Sequence, residues 1–285
     1  MKWFSITLRP TDPTIHGEAL DAICSELMEL GAIGTSIDNA PEITCYVDGD
    51  ASKAEELARH LPALGCTLVS CAEVSEENWT GACPDVWEPI LAGTLQVVPV
   101  ESPTDSRPVP VGALKIIPGL GFGTGHHSTT KMVLEQLTQL PKPETTAGYE
   151  ILDLGTGSGI LAIAAATLFS APVEAIDIDE GAIENARDNA ALNRVSDRIS
   201  LSTTPLHALT GSYDLILANV YGEVLVQLAP EVTRVAKSDA TLIMSGITEL
   251  VWDQVFTAYC DNLGWNLCSE HTEKGWVCAV LARTA

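Results

Sequence analysis

The nine residues ILDLGTGSG, Ile151–Gly159, decide the fold. The apolar residues up to Leu154 predict a buried strand, and the apolar run that follows Gly159 predicts a helix. The glycines between them stand in GxGxG spacing, which suits a backbone that turns sharply and approaches a ligand without a Cβ in the way. A plain tight turn between strand and helix is the alternative. The segment therefore predicts a strand–loop–helix unit of an α/β sheet.

An acidic residue favours the ligand interpretation. Asp177 ends the next predicted strand, Val173–Asp177, and a carboxylate there can accept both hydroxyl protons of a ribose. A capping role fits Asp179 better, because Asp179 directly precedes the next predicted helix. The GxGxG spacing differs from the GxGxxG that suits a pyrophosphate. Together these features predict a nucleoside-containing ligand, S-adenosylmethionine in preference to NAD.

Strands and helices alternate after Thr130. The predicted strands are Tyr149–Leu154, Val173–Asp177, Ile199–Ser202, Tyr213–Ala218, Ala240–Ser245, Trp265–His271 and Trp276–Leu281. The predicted helices are Gly159–Leu168, Glu180–Asn193, Val224–Val235 and Glu249–Leu263. The last two strands stand too close in sequence for a parallel crossover, so they predict an antiparallel hairpin. The fold class is therefore α/β with a Rossmann-like seven-stranded sheet, and the terminal hairpin is typical of class I methyltransferases.

The first part of the chain predicts a separate small domain. Its strands are Trp3–Leu8, Ile33–Ile37, Ile43–Val47 and Cys66–Glu73, and its helices are His16–Leu30 and Ser52–His60. The order βαββαβ is the ferredoxin-like α+β arrangement. We assign residues 1–74 to this domain, with a substrate-recognition role, residues 75–94 to a linker, and residues 95–285 to the sheet domain. Leu95–Val100 and Val109–Ile117, with a turn-rich loop between them, predict a β-hairpin.

Composition limits the classes of partner. The formal net charge is -23, from 38 acidic against 15 basic residues. This charge disfavours direct nucleic-acid binding. It would attract a basic partner, or it serves solubility alone. Eight cysteines include no CxxC pair and no Cys/His cluster at zinc spacing, so no metal is predicted. Neither a signal-peptide pattern nor a membrane-length apolar stretch occurs, and a cytoplasmic protein is expected.

Several segments carry a family resemblance. Gly121–Thr130 (GFGTGHHSTT) matches the pattern FGTG-x-H-x-TT, and Ile151–Ala164 and Ala175–Asn193 (AIDIDEGAIENARDNAALN) match as well. Shorter matches follow at Leu217–Tyr221, Leu228–Pro230, Ser245–Ile247 and Lys274–Val277. In these segments, which run in order from residue 118 onward, the chain resembles the ribosomal protein L11 methyltransferases. The small domain agrees with that family in size and element order, without a shared motif.

The resemblance implies a protein N-methyltransferase that uses S-adenosylmethionine and methylates lysine ε-amino and α-amino groups of ribosomal protein L11. It implies cofactor contacts at Thr130, Gly155, Asp177 and Asn219, and we add Gly157 of the same loop. Asn219 also follows the fourth predicted strand, at the edge where open α/β sheets bind ligands, and is expected to position the reacting groups. Thr130 is equally compatible with capping the helix that follows it. No residue is assigned with certainty as catalytic.

The sequence after Asn219 bears on the methyl acceptor. Asn219-Val220-Tyr221-Gly222 departs from the Asn-Pro-Pro-Tyr/Phe of enzymes that methylate DNA bases or glutamine, which favours an aliphatic amine. Phe122 and Tyr221 are candidates to line an acceptor channel, or are packing residues. The adjacent histidines 126 and 127 are expected to build the loop and are given no chemistry. Two alternatives remain: a methyltransferase acting on another protein lysine or a small amine, and a non-catalytic module that binds NAD or adenosine.

Overall fold

The computed structural model describes residues 3–12, 15, 20, 23–24, 26–27, 30–32, 34–37, 42–48, 51–74, 89–105, 109–118 and 127–283. The chain divides into two compact units, Met1–Pro84 and Asp85–Ala285. The division falls inside the segment 75–94 that the sequence predicts to be a linker. Predictions made for Phe122 and His126 lie outside the described residues.

The first unit contains a four-stranded antiparallel sheet. Its strands are β1 (Trp3–Pro10), β2 (Gly34–Ile37), β3 (Ile43–Asp48) and β4 (Cys66–Val74), in the order β2-β3-β1-β4. Helix α1 (Ala51–His60) connects β3 to β4 and buries Ala54 and Leu57. The described residues 20, 23–24 and 26–27 are helical and lie between β1 and β2 in sequence, inside the predicted helix His16–Leu30. This topology confirms the ferredoxin-like prediction.

A small three-stranded sheet begins the second unit. Its strands are β5 (Ile90–Ala92), β6 (Leu95–Pro99) and β7 (Leu114–Ile116), in that spatial order. The predicted hairpin between the second and third of these segments is wrong, because β6 and β7 are parallel. The intervening loop is long enough for a crossover, and the antiparallel partner of β6 is β5, across a turn at Gly93 with φ 58°. Strand β5 lies in the predicted linker and is too short to show an alternating pattern.

The large sheet has the predicted topology. Its strands are β8 (Ile151–Leu154), β9 (Val173–Ile176), β10 (Ile199–Ser202), β11 (Tyr213–Asn219), β12 (Ala236–Thr248), β13 (Asn266–Glu273) and β14 (Trp276–Ala282). The spatial order is β10-β9-β8-β11-β12-β14-β13, with β8 to β12 parallel and β14 antiparallel to both of its neighbours. The chain order reverses between β8 and β11, and open α/β sheets bind ligands at such a switch point.

Helices cover both faces of this sheet. They are α2 (Ser128–Gln139), α3 (Ile160–Phe169), α4 (Glu180–Leu192), α5 (Gly222–Val235) and α6 (Glu249–Phe256), and a π-helical turn at Thr257–Asp261 continues α6. Successive residues of β8 point to opposite faces, so that Ile151 packs in one apolar cluster and Leu152 in the other. Because β8 to β12 are parallel, the connection that follows each of them leaves from the same edge of the sheet. That edge holds the candidate site.

A candidate ligand site at the carboxyl edge of the large sheet

The glycine loop connects β8 to α3. Gly155, Gly157 and Gly159 have φ values of 71°, 52° and 80°, in the left-handed region that favours glycine. The backbone N–H groups of Gly155 and Thr156 donate to the carbonyl oxygen of Ile176, at 2.9 and 3.0 Å. The loop is thereby fixed to the end of β9.

Val220 occupies the space beside Gly155. A Cβ on Gly155 would lie 2.5 Å from Cγ1 of Val220, and a Cβ on Gly246 would collide with the Val220 carbonyl group. The positive φ and this close approach both favour glycine at position 155, in addition to the ligand approach expected from the sequence. The segment after Asn219 is held between the ends of β8 and β12.

Asp177 follows β9 and faces the glycine loop. Its Oδ2 accepts a hydrogen bond from Gly157 N–H at 2.9 Å, and its Oδ1 accepts one from Asp179 N–H at 3.0 Å. A carboxylate oxygen can accept more than one hydrogen bond, so both oxygens keep capacity for a ribose diol. Asp179 caps α4 through a bond from Gly181 N–H at 2.9 Å, which confirms the assignment of capping to Asp179.

Thr130 and Asn219, distant in sequence, meet at this edge. Asn219 Nδ2 donates to Thr130 Oγ1 at 3.1 Å, and Thr130 is fully buried. The residue that caps α2 is His127, so the capping alternative for Thr130 is wrong. Asn219 Oδ1 is buried and lacks a hydrogen-bond partner among the described residues. An unsatisfied buried acceptor costs about 1–3 kcal/mol, which a donor on a bound ligand would recover.

Two further residues of this edge escaped the sequence analysis. Asp153, fully buried beneath the loop, accepts hydrogen bonds from the Thr156 hydroxyl at 2.6 Å and from Ala162 N–H at 3.0 Å. Burial raises the pKa of Asp153 to about 7, and the Asp177 carboxylate adds to the rise. Ile178, beside Asp177, is 96% exposed and offers an apolar surface for the nucleobase of a ligand. The sequence signal for Asp153 is an acidic residue in an otherwise apolar strand. The signal for Ile178 is an isoleucine between two acidic residues.

His127 builds the start of α2. Its Nδ1 lies 2.8 Å from the Thr129 hydroxyl oxygen and 3.4 Å from Thr129 N, and its ring meets that of Trp276 edge-on at 5.0 Å. Burial lowers the pKa of His127 below its usual 6.5, with a smaller contribution from Lys274, so the ring is neutral near pH 7. These contacts agree with the loop-building role expected for this histidine.

Two exposed apolar side chains stand at the starts of the helices that follow β11 and β12. Tyr221, at the start of α5, is 53% exposed, and Leu250, in the first turn of α6, is 90% exposed. The two helix starts are in contact, because a Cβ on Gly222 would lie 2.9 Å from Cγ1 of Val251. We call Tyr221, Leu250 and the first-turn acids Glu223 and Glu249 the rim. The rim combines apolar side chains with carboxylates.

Within the described part of the chain, no group of three or more His, Cys, Asp or Glu side chains is arranged to hold a metal ion. Among the described helices, none has both the length and the apolar character that a membrane crossing requires.

Comparison with known proteins identifies the family. Residues 2–284 match the family model described as ribosomal protein L11 methyltransferase. Two proteins of that name are similar to the chain: one from Trichlorobacter lovleyi is 39% identical, covering 79% of this chain and 78% of its own, and one from Pelobacter propionicus is 34% identical, covering 93% and 87%. The crystal structure of ribosomal protein L11 methylase from Lactobacillus delbrueckii subsp. bulgaricus superposes with a TM-score of 0.60 at 30% identity, over 70% of this chain and 100% of that one. The chain therefore belongs to the ribosomal protein L11 methyltransferase family.

Proposed function

We propose that this protein transfers methyl groups from S-adenosylmethionine to lysine ε-amino and α-amino groups of ribosomal protein L11. The observation that carries the proposal is the position of Asp177 and Asn219 on either side of the glycine loop. Strand β8 lies between β9 and β11, so the residues that end those two strands flank the loop that follows β8. This arrangement stands at the switch point of the sheet, in a chain of this family.

The residues at this edge suit the parts of the cofactor. The Asp177 carboxylate would bind the ribose hydroxyls, Ile178 would contact the base, and Asn219 Oδ1 would accept a hydrogen bond from an amino group. When bound, the cofactor supplies an electrophilic methyl group on a sulfonium sulfur. The protein chiefly has to align the acceptor nitrogen with that methyl group, and such positioning can supply about 7–11 kcal/mol.

The rim suits a lysine-bearing segment. Tyr221 and Leu250 offer apolar contact for the aliphatic part of the side chain, while Glu223 and Glu249 attract its charged end. A lysine with a pKa of about 10.4 must lose a proton before it can attack. The rim carboxylates favour its charged form, so the neutral form has to arise by desolvation beyond the rim. The net charge of -23 favours a basic protein as substrate. A ribosomal substrate would place the reaction in the cytoplasm.

Mass spectrometry of ribosomal protein L11 tests the proposal. After incubation with this protein and S-adenosylmethionine, L11 should gain the mass of one or more methyl groups at lysines or at its α-amino group, and should not do so without the cofactor. Methylation of another basic protein or a small amine in place of L11 would favour the alternative acceptors. Calorimetric binding of NADH but not of S-adenosylhomocysteine would contradict the methyltransferase assignment.

We further propose that residues 1–74 recognise the protein substrate. The predicted cofactor-binding residues all belong to the unit Asp85–Ala285. A fragment starting at Asp85 is therefore expected to bind S-adenosylhomocysteine with nearly the dissociation constant of the full chain, and to lose most of its activity on L11, because the acceptor is no longer positioned. Calorimetry and the L11 assay on both proteins check this. Aggregation of the fragment, or full activity on L11, would contradict the recognition role.

A further inference from the structure

Helix α4 and the residue that caps its C-terminus carry three asparagines on one face. Asn185, Asn189 and Asn193 are spaced by four residues, and this spacing places them one above the other. All three bond to the backbone at or just after β7: Asn185 Nδ2 donates to the Ile117 carbonyl oxygen at 3.2 Å, and the other two make more extensive contacts. The family resemblance includes this segment, but the proposed function gives these side chains no task.

Asn189 and Asn193 pair with β7 as a neighbouring strand would. Asn193 Oδ1 accepts from Lys115 N–H at 2.9 Å, and its Nδ2 donates to the Lys115 carbonyl at 2.6 Å. Asn189 Oδ1 accepts from Ile117 N–H at 2.7 Å, and its Nδ2 donates to the Ile117 carbonyl at 3.2 Å. A primary amide offers the donor and acceptor of a peptide group. The two side chains therefore satisfy alternate residues, Lys115 in β7 and Ile117 directly after it, along the outer edge of the small sheet.

Asn189 makes one additional bond, and that bond reaches the glycine loop. Its Nδ2 donates to the carbonyl oxygen of Ser158 at 2.9 Å, and both residues are fully buried. The next loop residue, Gly159, packs against the same helix, since a Cβ there would lie 3.0 Å from Cβ of Ala186. The Asn189 amide thus joins α4 to the residue after β7 and to the glycine loop, whereas Asn193 joins the end of α4 to β7 alone.

We infer that Asn189 is a positioning residue that holds the glycine loop in its ligand-binding conformation. This inference rests on the proposed function of that loop. Glycines have more conformational freedom than other residues, so a loop with three of them at positive φ depends on restraints from its surroundings. The bonds to Ile176 and Asp177 restrain its first half, and the Asn189 bond to Ser158 restrains its second half. If the bond to Ser158 is lost, a buried carbonyl loses this partner, and the fraction of molecules with a competent loop falls. Apparent cofactor affinity falls by the same fraction.

Two asparagine variants separate this role from plain stabilisation. Asn189→Ala and Asn193→Ala both remove hydrogen bonds to the chain at β7, so both should lower the melting temperature. Only Asn189→Ala loses the bond to Ser158, and its dissociation constant for S-adenosylhomocysteine should rise about tenfold, against less than about twofold for Asn193→Ala. Isothermal titration calorimetry below both melting temperatures measures the constants. Asn189→Asp, which keeps the side-chain volume and the acceptor for Ile117 N–H, should also bind more weakly.

The possible outcomes are distinct. Equal affinities of the wild type and the Asn189 variants, or equal weakening in Asn193→Ala, would overturn the inference. Failure of both Asn189 variants to fold at 25 °C, while Asn193→Ala folds, would assign Asn189 to the fold alone and would also overturn it. If the wild-type protein itself does not bind S-adenosylhomocysteine, the proposed function fails instead.

Discussion

Asn219→Ala is expected to lower kcat on ribosomal protein L11 by about 100-fold, the scale of loss when reacting groups are misplaced by about 1 Å. Asn219 ends β11, and its Oδ1 is buried without a partner among the described residues. Its Nδ2 is held by Thr130, so the direction of that oxygen is fixed before any ligand arrives. In the proposed reaction Asn219 Oδ1 accepts a hydrogen bond from an amino group and thereby orients it. The substitution by alanine removes this contact.

The effect of Asn219→Ala on stability should be small. The substitution deletes one hydrogen bond to Thr130, worth about 1 kcal/mol, and also deletes an unsatisfied buried acceptor, a change of opposite sign. Steady-state kinetics and thermal unfolding of the same preparation separate the two effects. A collapse of the melting temperature, with wild-type kcat in the enzyme that stays folded, would show that Asn219 is structural.

Thr130 provides matched controls for the Asn219 prediction. Thr130→Val keeps the shape of this buried side chain but removes the Oγ1 that accepts from Asn219, whereas Thr130→Ser keeps a hydroxyl group. We expect Thr130→Val to share part of the loss in kcat and Thr130→Ser to remain close to the wild type. Equal activity of the two variants would mean that the bond between Thr130 and Asn219 does not orient the amide.

The large sheet could be predicted because its signals are local. Apolar strand segments alternate with helical ones, and the short interval before Trp276 allows only a hairpin, which the structure has between β13 and β14. Strand β5 has three residues, and the parallel pairing of β6 with β7 depends on a crossover that no local pattern encodes. The errors therefore fall on the small sheet, where pairing is set by tertiary contacts.

Only part of the candidate site could be predicted, because local signals mark some of its residues and tertiary contacts bring the others together. Asp177 lies at a strand end that the sequence marks, and its contact with the glycine loop follows from the order of β8 and β9. The bond between Thr130 and Asn219 joins residues 89 positions apart and depends on how α2 packs on the sheet. Likewise, the contact of Gly155 with Val220 depends on the shape of the chain after β11. A local sequence motif carries no information about contacts between residues that are far apart in the chain.

Asp177→Ala is expected to weaken S-adenosylmethionine binding by about 1.5–3 kcal/mol, the range for hydrogen bonds to a charged group. The substitution removes the carboxylate and with it the bonds to the ribose hydroxyls. It also removes the bond from Gly157 N–H, which holds the loop against the end of β9. Both losses act on the cofactor site, so the dissociation constant should rise by about 10- to 150-fold at 25 °C. Isothermal titration calorimetry with S-adenosylmethionine or S-adenosylhomocysteine measures the change.

Asp179→Ala is the matched control for Asp177→Ala. Asp179 is the neighbouring acid on the same turn, and its side chain caps α4 through Gly181 N–H without a bond to the glycine loop. Loss of the cap should cost about 1 kcal/mol of stability and leave the cofactor dissociation constant within about twofold of the wild type. Asp177→Asn, which keeps one side-chain oxygen but no charge, should fall between the wild type and Asp177→Ala. Unchanged affinity in Asp177→Ala, or equal weakening in Asp179→Ala, would mean that the ribose contact is assigned to the wrong residue.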